Sequence, residues 1–178
     1  MSSAVSASVS AGLFDTFNGL PAHPLIVHGA VGLVLVAALG GLASLVPRWR
    51  SWMLPTTAVI SVLALISAVA ATQSGESLEG RVAHSPLIED HAEWGERTRA
   101  AALLLMILLI AWWAVERAMR RSAQPSGKLR TGSLALGALT ALVAVATAGA
   151  RFVTGDQGAK AVWEDTPAAT SSGEAVGG

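Results

Sequence analysis

The sequence contains no cysteine and no tyrosine, and it is poor in charged residues. The absence of cysteine excludes disulfides, thiolate metal sites, iron–sulfur clusters and covalently attached c-type haem, because each needs protein sulfur. Any metal chemistry would have to use histidine, carboxylate or methionine. Charged side chains make up 13% of the 178 residues and hydrophobic ones 52%, whereas soluble domains carry about 25% charge. This composition predicts a membrane protein.

The charges that are present give no sign of nucleic-acid binding or of a known catalytic motif. Twelve basic residues balance twelve acidic ones, and no basic run with interleaved aromatics occurs, so we predict no nucleic-acid partner. A nucleophile–base–acid order, a glycine-rich phosphate loop and the H-E-x-x-H zinc pattern are also missing. We therefore assign no catalytic residue.

Four apolar stretches are close to the roughly 20 residues that a helix needs to cross a bilayer. They predict an all-α membrane protein, with four transmembrane helices in an antiparallel bundle that contacts lipid. The predicted spans are about 25–46, 53–72, 96–117 and 132–152, within a domain of residues 19–165. Residues 1–18 and 166–178, which are rich in Ser, Ala and Gly, are expected to be a flexible and a disordered tail.

The basic residues predict the orientation of the chain, since Lys and Arg favour cytoplasmic loops. The first basic residue is Arg48, which follows the first span, so the N-terminus is not expected to be a signal peptide. The first and third loops together carry seven bases and only one acid, Glu116. We expect these loops on the cytoplasmic side of the membrane and both termini outside. The net charge is then +6 inside and −6 outside.

Two short patterns suggest an internal duplication. His28–Gly32 and His91–Gly95 both read His-x-x-x-Gly, while Ser74–Glu76 and Thr154–Asp156 each join a hydroxyl, a glycine and an acid. Two such hairpins would be related by an axis along the membrane normal.

Tryptophans predict the depth of two of the histidines. His28 and His91 each precede a tryptophan, Trp49 and Trp112, by 21 residues. Tryptophan favours the membrane–water boundary. We therefore expect these tryptophans at the inner boundary and both histidines near the outer one.

The histidines of the chain all fall on the predicted outer side, where we expect a polar cluster. His28 lies one turn inside an apolar run, where an ionisable ring needs a polar partner, and we favour its pairing with His91 over His84. One hypothesis is an iron, zinc, manganese or copper ion bound by nitrogen and oxygen ligands. The candidate metal ligands are His23, His28, Glu76, His91 and Asp156.

A haem b held by two imidazoles is the second cofactor hypothesis. The glycines four residues after His28 and His91 remove bulk where a flat ligand could approach, and arginines near the outer boundary could bind its propionates. Electron transfer or metal handling would be the role, and structural polar packing remains the simpler alternative. The candidate haem-binding residues are His28, His91, Gly32, Gly95, Arg97, Arg99 and Arg151.

A non-enzymatic membrane subunit or scaffold is the competing hypothesis. Small residues permit close helix approach in membranes, so glycine-rich helices could pack against a membrane partner while the acidic outer side docks an extracytoplasmic protein. The sequence leaves homo-oligomerisation open. The glycines concerned are Gly32, Gly40, Gly41, Gly132 and Gly137.

Four segments of the chain resemble a bacterial membrane family known as domain of unknown function 2231. They are Pro21-Ala-His-Pro-Leu-Ile-Val-His28, Gly75-Glu-Ser-Leu-Glu79, His91-Ala-Glu-Trp-Gly-Glu96 and Thr154-Gly-Asp-Gln-Gly-Ala-Lys-Ala-Val-Trp163. The resemblance implies a four-helix membrane protein with a loose relation to di-haem cytochrome b-like bundles. Many relatives have Gly-His where this chain has Gly155-Asp156. That difference argues against two haems and leaves His28 with His91 as the expected axial pair.

Overall fold

The structure is a computed structural model that describes residues 16–17, 20–80 and 85–163. It contains four long helices: α1 (His23–Ala43), α2 (Pro47–Glu79), α3 (Pro86–Arg121) and α4 (Gly127–Trp163). Two short strands before them, β1 (Thr16–Phe17) and β2 (Leu20–Pro21), pair antiparallel. All four helices are long and apolar enough to cross a membrane, which confirms the predicted all-α, four-span fold. Residues 166–178, His84 and most of the N-terminal tail lie outside the described residues.

Helices α2, α3 and α4 are longer than a bilayer requires. They contain 33, 36 and 37 residues, against the roughly 20 that span the hydrocarbon. A proline in the first turn fixes the start of α1, α2 and α3, and the Ser85 side chain caps α3 by accepting from Leu87 N. The extra turns lie mostly at one end of the bundle, which we call the histidine end because His23 and His91 lie there.

Small residues fill the centre of the bundle, where each helix packs against two neighbours. Helices α1 and α3 are diagonal to each other, and each packs against both α2 and α4, most extensively within the hairpins α1–α2 and α3–α4. Large apolar side chains such as Leu39, Ile66 and Leu142 are exposed and would face lipid. The buried cluster is Val34, Ala37, Ala38, Leu54, Ala58, Ala64, Ala102, Leu105, Leu109, Trp112 and Ala144.

Three of the five glycines expected to pack against a partner instead pack inside the bundle. A Cβ atom added at Gly40 would lie 2.4 Å from Thr57 Oγ1, and one added at Gly137 would lie 3.1 Å from the Trp112 ring. Gly41 is likewise in ordinary contact range of α3 and α4 side chains. A Cβ atom added at Gly32 or Gly132 would have no neighbour within 4 Å among the described residues, so partner packing at these two glycines stays a prediction.

A buried polar network joins all four helices at the opposite end. Arg50 of α2 donates to Glu116 of α3 at 3.3 Å and to the backbone carbonyls of Ser44 and Leu45, which follow α1. The Ser133 hydroxyl of α4 donates to the same Glu116 carboxylate. Glu116, counted with the third loop although it falls at the end of the predicted span 96–117, is therefore a buried residue of α3.

Trp112 belongs to this network and is buried inside the bundle, so it does not face lipid or solvent, while its predicted depth at the inner boundary stays a prediction. It is 1% exposed, its indole N–H donates to Ser133 Oγ at 3.1 Å, and the Arg50 guanidinium lies 5.2 Å from its ring. Its indole N–H therefore has a polar partner inside the bundle, as a buried tryptophan requires. Trp49 and Trp52, by contrast, are exposed.

Candidate functional site

The two histidines that meet at the histidine end are His23 and His91. His23 is the first residue of α1, and His91 lies in the second turn of α3. Their ring centroids are 6.4 Å apart and the ring planes are nearly perpendicular, at 89°. Since α1 and α3 are diagonal in the bundle, the contact between these two rings runs across the bundle.

In the neutral form of each histidine, the hydrogen bonds determine which ring nitrogen carries the proton. His91 Nδ1 lies 3.0 Å from the carbonyl oxygen of Thr154, which can only accept, so Nδ1 is the donor. His23 Nδ1 lies 2.9 Å from Ser74 Oγ. That hydroxyl donates to Ala71 O at 3.0 Å, so it accepts from His23. Both Nε2 atoms therefore keep a lone pair, the form in which imidazole binds metal.

Each histidine ring lies against a glycine of the helix that follows it in its hairpin. A Cβ atom at Gly75 of α2 would lie 3.1 Å from His23 Cε1, and one at Gly158 of α4 would lie 2.9 Å from His91 Cε1. Each hairpin thus supplies a histidine from its first helix, and a hydrogen-bond acceptor and a glycine from its second. The arrangement is duplicated, but in a different register from the His-x-x-x-Gly pattern.

The expected pairing of His28 with His91 is wrong, because His28 lies on another face of α1. It is exposed, and its Nδ1 lies 2.5 Å from the carbonyl oxygen of Pro24 in its own helix. Five residues separate it from His23, which places the two about 140° apart around the helix axis. Gly32, four residues further, is also exposed and has nothing near it.

A cavity of about 280 Å³ lies beside the two histidines, largely between α2 and α3. Its walls are mostly small or apolar, including Val27, Ala68, Ala71 and Ala92. Such a surface suits an apolar ligand body with a few polar contacts. The predicted site residues that line it are His23, Glu76, His91, Gly95 and Arg151.

Arg97, Arg99 and Asp156, three other predicted site residues, are not in this lining. Arg97 pairs with Glu93 and lies over the Trp94 ring. Arg99 pairs with Glu96, and Asp156 pairs with Lys160 at 2.6 Å. These are pairs within one helix at exposed or half-exposed positions, so they are satisfied without a ligand.

Arg151 differs from these, because part of its guanidinium is buried without a partner. It lies on α4 one turn before Thr154, and its Nε and Nη2 atoms are shielded from solvent with no hydrogen bond. A buried charged donor without an acceptor is costly, so this side chain is a candidate for contact with an anionic ligand.

The structure does not assemble the five predicted metal ligands. Among residues 20–80 and 85–163, no group of three or more His, Asp or Glu side chains is arranged to hold a metal ion. Of the predicted set, only His23 and His91 are in ring contact.

Comparison with known families agrees with this architecture. A family model described as "Predicted membrane protein (DUF2231)" matches residues 19–170. The chain belongs to the DUF2231 family. No curated protein and no solved structure matches the chain. The DUF2231 match spans both hairpins and every residue of the cavity lining.

Four further residues of this DUF2231 protein contact the histidines or each other at the site, although no sequence pattern predicted a site role for them: Ser74, Thr98, Thr154 and Gly158. Thr154 joins α4 to α3, because its hydroxyl lies 2.9 Å from Thr98 Oγ1 and 3.0 Å from Trp94 O. The signal was present in part. Ser74 and Thr154 begin the two hydroxyl–glycine–acid patterns, but those patterns do not reveal which histidine each one faces.

Proposed function

We propose that this DUF2231 protein binds haem b between His23 and His91 and serves in electron transfer. The observation that carries the proposal is the contact between two imidazoles that each have a hydrogen-bond partner at Nδ1, which in the neutral form leaves Nε2 with a lone pair. Metal-binding histidines characteristically donate their other ring N–H to a carbonyl or similar acceptor. A haem iron with two imidazole ligands supplies one-electron chemistry.

The number of available ligands favours haem over a bare metal ion. A porphyrin supplies four nitrogens, so its iron needs only two axial ligands from the protein. A bare ion would need more than the two histidines, and the described residues offer no third His, Asp or Glu ligand in place.

The charge distribution supports a proposed location for the site on the outer side of a bacterial inner membrane. The loop joining α3 to α4 and the residues flanking it are basic, whereas the histidine end carries most acids. Basic loops favour the cytoplasm. In this orientation both termini and the haem would face the extracytoplasmic space, where a soluble protein partner could exchange electrons with it.

The absorption spectrum and metal content of the detergent-solubilised protein test the proposal. We expect a Soret band and about one iron per chain. His23→Ala and His91→Ala should abolish the band, whereas His28→Ala, a matched control on the same helix as His23, should leave it unchanged. Bound metal without a Soret band would favour an ion site. Protein with neither would overturn the cofactor proposal, and a stable co-purifying protein would then favour the scaffold hypothesis.

A further inference from the structure

Arg151 lines the cavity, and two donor atoms of its guanidinium are buried without a hydrogen bond. The two atoms are Nε and Nη2, and the side chain lines the same cavity as the two histidines. Its planar donor fork matches the two oxygens of a carboxylate, which is a geometry that lysine does not reproduce. An anionic group reaching this position would satisfy donors that the described part of the protein leaves open.

The acidic residues around the cavity do not fill this role. Glu93 and Glu96 pair with Arg97 and Arg99. Glu76 and Glu79 line the cavity from α2, yet Arg151 has no bond to either at these buried atoms. The cavity therefore has carboxylates on its α2 and α3 sides and an unpaired cation on its α4 side. Because the α3 carboxylates already have arginine partners, an anionic group would be repelled mainly from the α2 side and attracted to the α4 side.

We propose that Arg151 binds a carboxylate of the ligand held by His23 and His91, so that the cavity selects a tetrapyrrole with acidic side arms and orients those arms toward α4. This inference rests on the proposed function, because it assigns one contact of the same ligand. It separates Arg151 from Arg97, which is satisfied by Glu93 and needs no anion.

Haem b and its dimethyl ester, in which both carboxylates are neutral, provide the test. The two compounds are titrated into haem-free protein in one detergent, and the Soret band is followed. Wild type should bind the diacid about tenfold or more tightly than the ester, since hydrogen bonds between charged groups are the stronger kind. Arg151→Gln should bind the diacid and the ester with affinities that differ by no more than about twofold. Arg97→Gln, the control, should keep the wild-type ratio. Any difference in how the two compounds partition into micelles cancels when the proteins are compared.

The outcomes separate this inference from the proposed function. If Arg151→Gln keeps the wild-type ratio while both compounds give a Soret band, Arg151 does not recognise the carboxylates, although the histidine ligation stands. If wild type binds both compounds equally and phospholipid phosphorus co-purifies with wild type but not with Arg151→Gln, the anion is a lipid phosphate and the inference is overturned. If neither compound binds, the proposed function fails as well. If Arg151→Gln does not fold, Arg151→Lys replaces it in the test. Lysine keeps the charge but not the planar pair of donors, so the preference for the diacid over the ester should fall below that of wild type.

Discussion

Ser74 is the residue that fixes the orientation of His23. It is 1% exposed and lies between His23 Nδ1 and the carbonyl of Ala71. Ser74→Ala removes the acceptor while leaving the ring and its Nε2 in place. Loss of such supporting contacts costs metal sites about 10- to 100-fold in affinity, and we expect a loss of haem affinity in this range by Soret titration.

A serine on the same helix supplies the control for this prediction. Ser67 donates to Leu63 O within α2 at 2.9 Å and does not line the cavity. Ser67→Ala should therefore bind haem like wild type. Equal affinities for Ser74→Ala and wild type would show that the hydrogen bond to His23 does not support ligation.

Glu116 is the residue on which the network at the opposite end depends. Its side chain is 10% exposed and accepts from both Arg50 and Ser133. Glu116→Ala leaves the Arg50 charge without its carboxylate, and breaking a buried pair in this way costs about 3–5 kcal/mol. We expect a value near the lower end of that range, since the Arg50 side chain is 22% exposed, measured by denaturant unfolding in detergent.

The Glu93–Arg97 pair provides a matched comparison, because both of its side chains are more than half exposed and lie on one helix. Glu93→Ala should cost only about 0.3–0.5 kcal/mol. If the two variants lose similar stability, the buried network at the opposite end stabilises the bundle no more than an exposed ion pair does.

At the scale of single residues, the sequence predicted the type of site residue better than its identity. It indicated histidines at one end of the bundle, where the structure places His23 and His91 in ring contact, while a ligand-binding role for His91 stays a prediction. It favoured His28 over His23, because a histidine inside an apolar run needs a polar partner. In the structure that partner is the carbonyl of Pro24, one turn back. Hydrophobic periodicity cannot predict a hydrogen bond between a side chain and the backbone of its own helix.

At the scale of helices, the close approach of α1 to α2 at Gly40 is the feature most sensitive to substitution. A Cβ at this position would lie 2.4 Å from Thr57 Oγ1 and 2.9 Å from Thr57 Cγ2. Thr57 is itself 1% exposed and cannot turn toward solvent. Gly40→Ala should therefore separate the two helices and cost about 1–3 kcal/mol, measured as a loss of thermal stability in detergent.

Gly32, on the same helix, is the matched control for Gly40→Ala. Nothing lies within 4 Å of a Cβ placed there, and alanine is favoured over glycine in a helix by about 1 kcal/mol. Gly32→Ala should be neutral or slightly stabilising. Equal destabilisation by both substitutions would mean that Gly40 is not a packing contact inside the bundle.

The number of helices followed from the sequence, and so did the start of α3, since Ser85-Pro86 has the form of a helix entry, but the end of α4 did not. Apolar length alone predicts the four spans, because lipid demands about 20 apolar residues. Helices α3 and α4 extend well beyond the predicted spans at the histidine end, where α3 begins at Pro86 and α4 ends at Trp163. These extensions are polar, so hydropathy does not mark them. They nevertheless carry His91 and Gly158, and the register in which they pack determines which residues meet.

At the scale of the whole molecule, the absence of cysteine makes the orientation directly measurable. A single cysteine introduced at an exposed position is the only thiol in the chain. Gly80, at the histidine end, and Ala123, between α3 and α4, are both exposed and lie at opposite ends of the bundle. Gly80 has a φ of −63°, so a cysteine fits there without backbone strain.

In spheroplasts of an expressing bacterium, a membrane-impermeant maleimide should label Gly80→Cys at once and Ala123→Cys only after the membrane is permeabilised. The physical reason is the retention of basic loops on the cytoplasmic side, and the loop at Ala123 lies between two basic pairs, Arg120 with Arg121 and Lys128 with Arg130. The cysteine-free wild type measures background labelling. The reverse pattern would place His23 and His91 on the cytoplasmic side, where an electron partner would have to be cytoplasmic, and would overturn the proposed location without affecting the ligation itself.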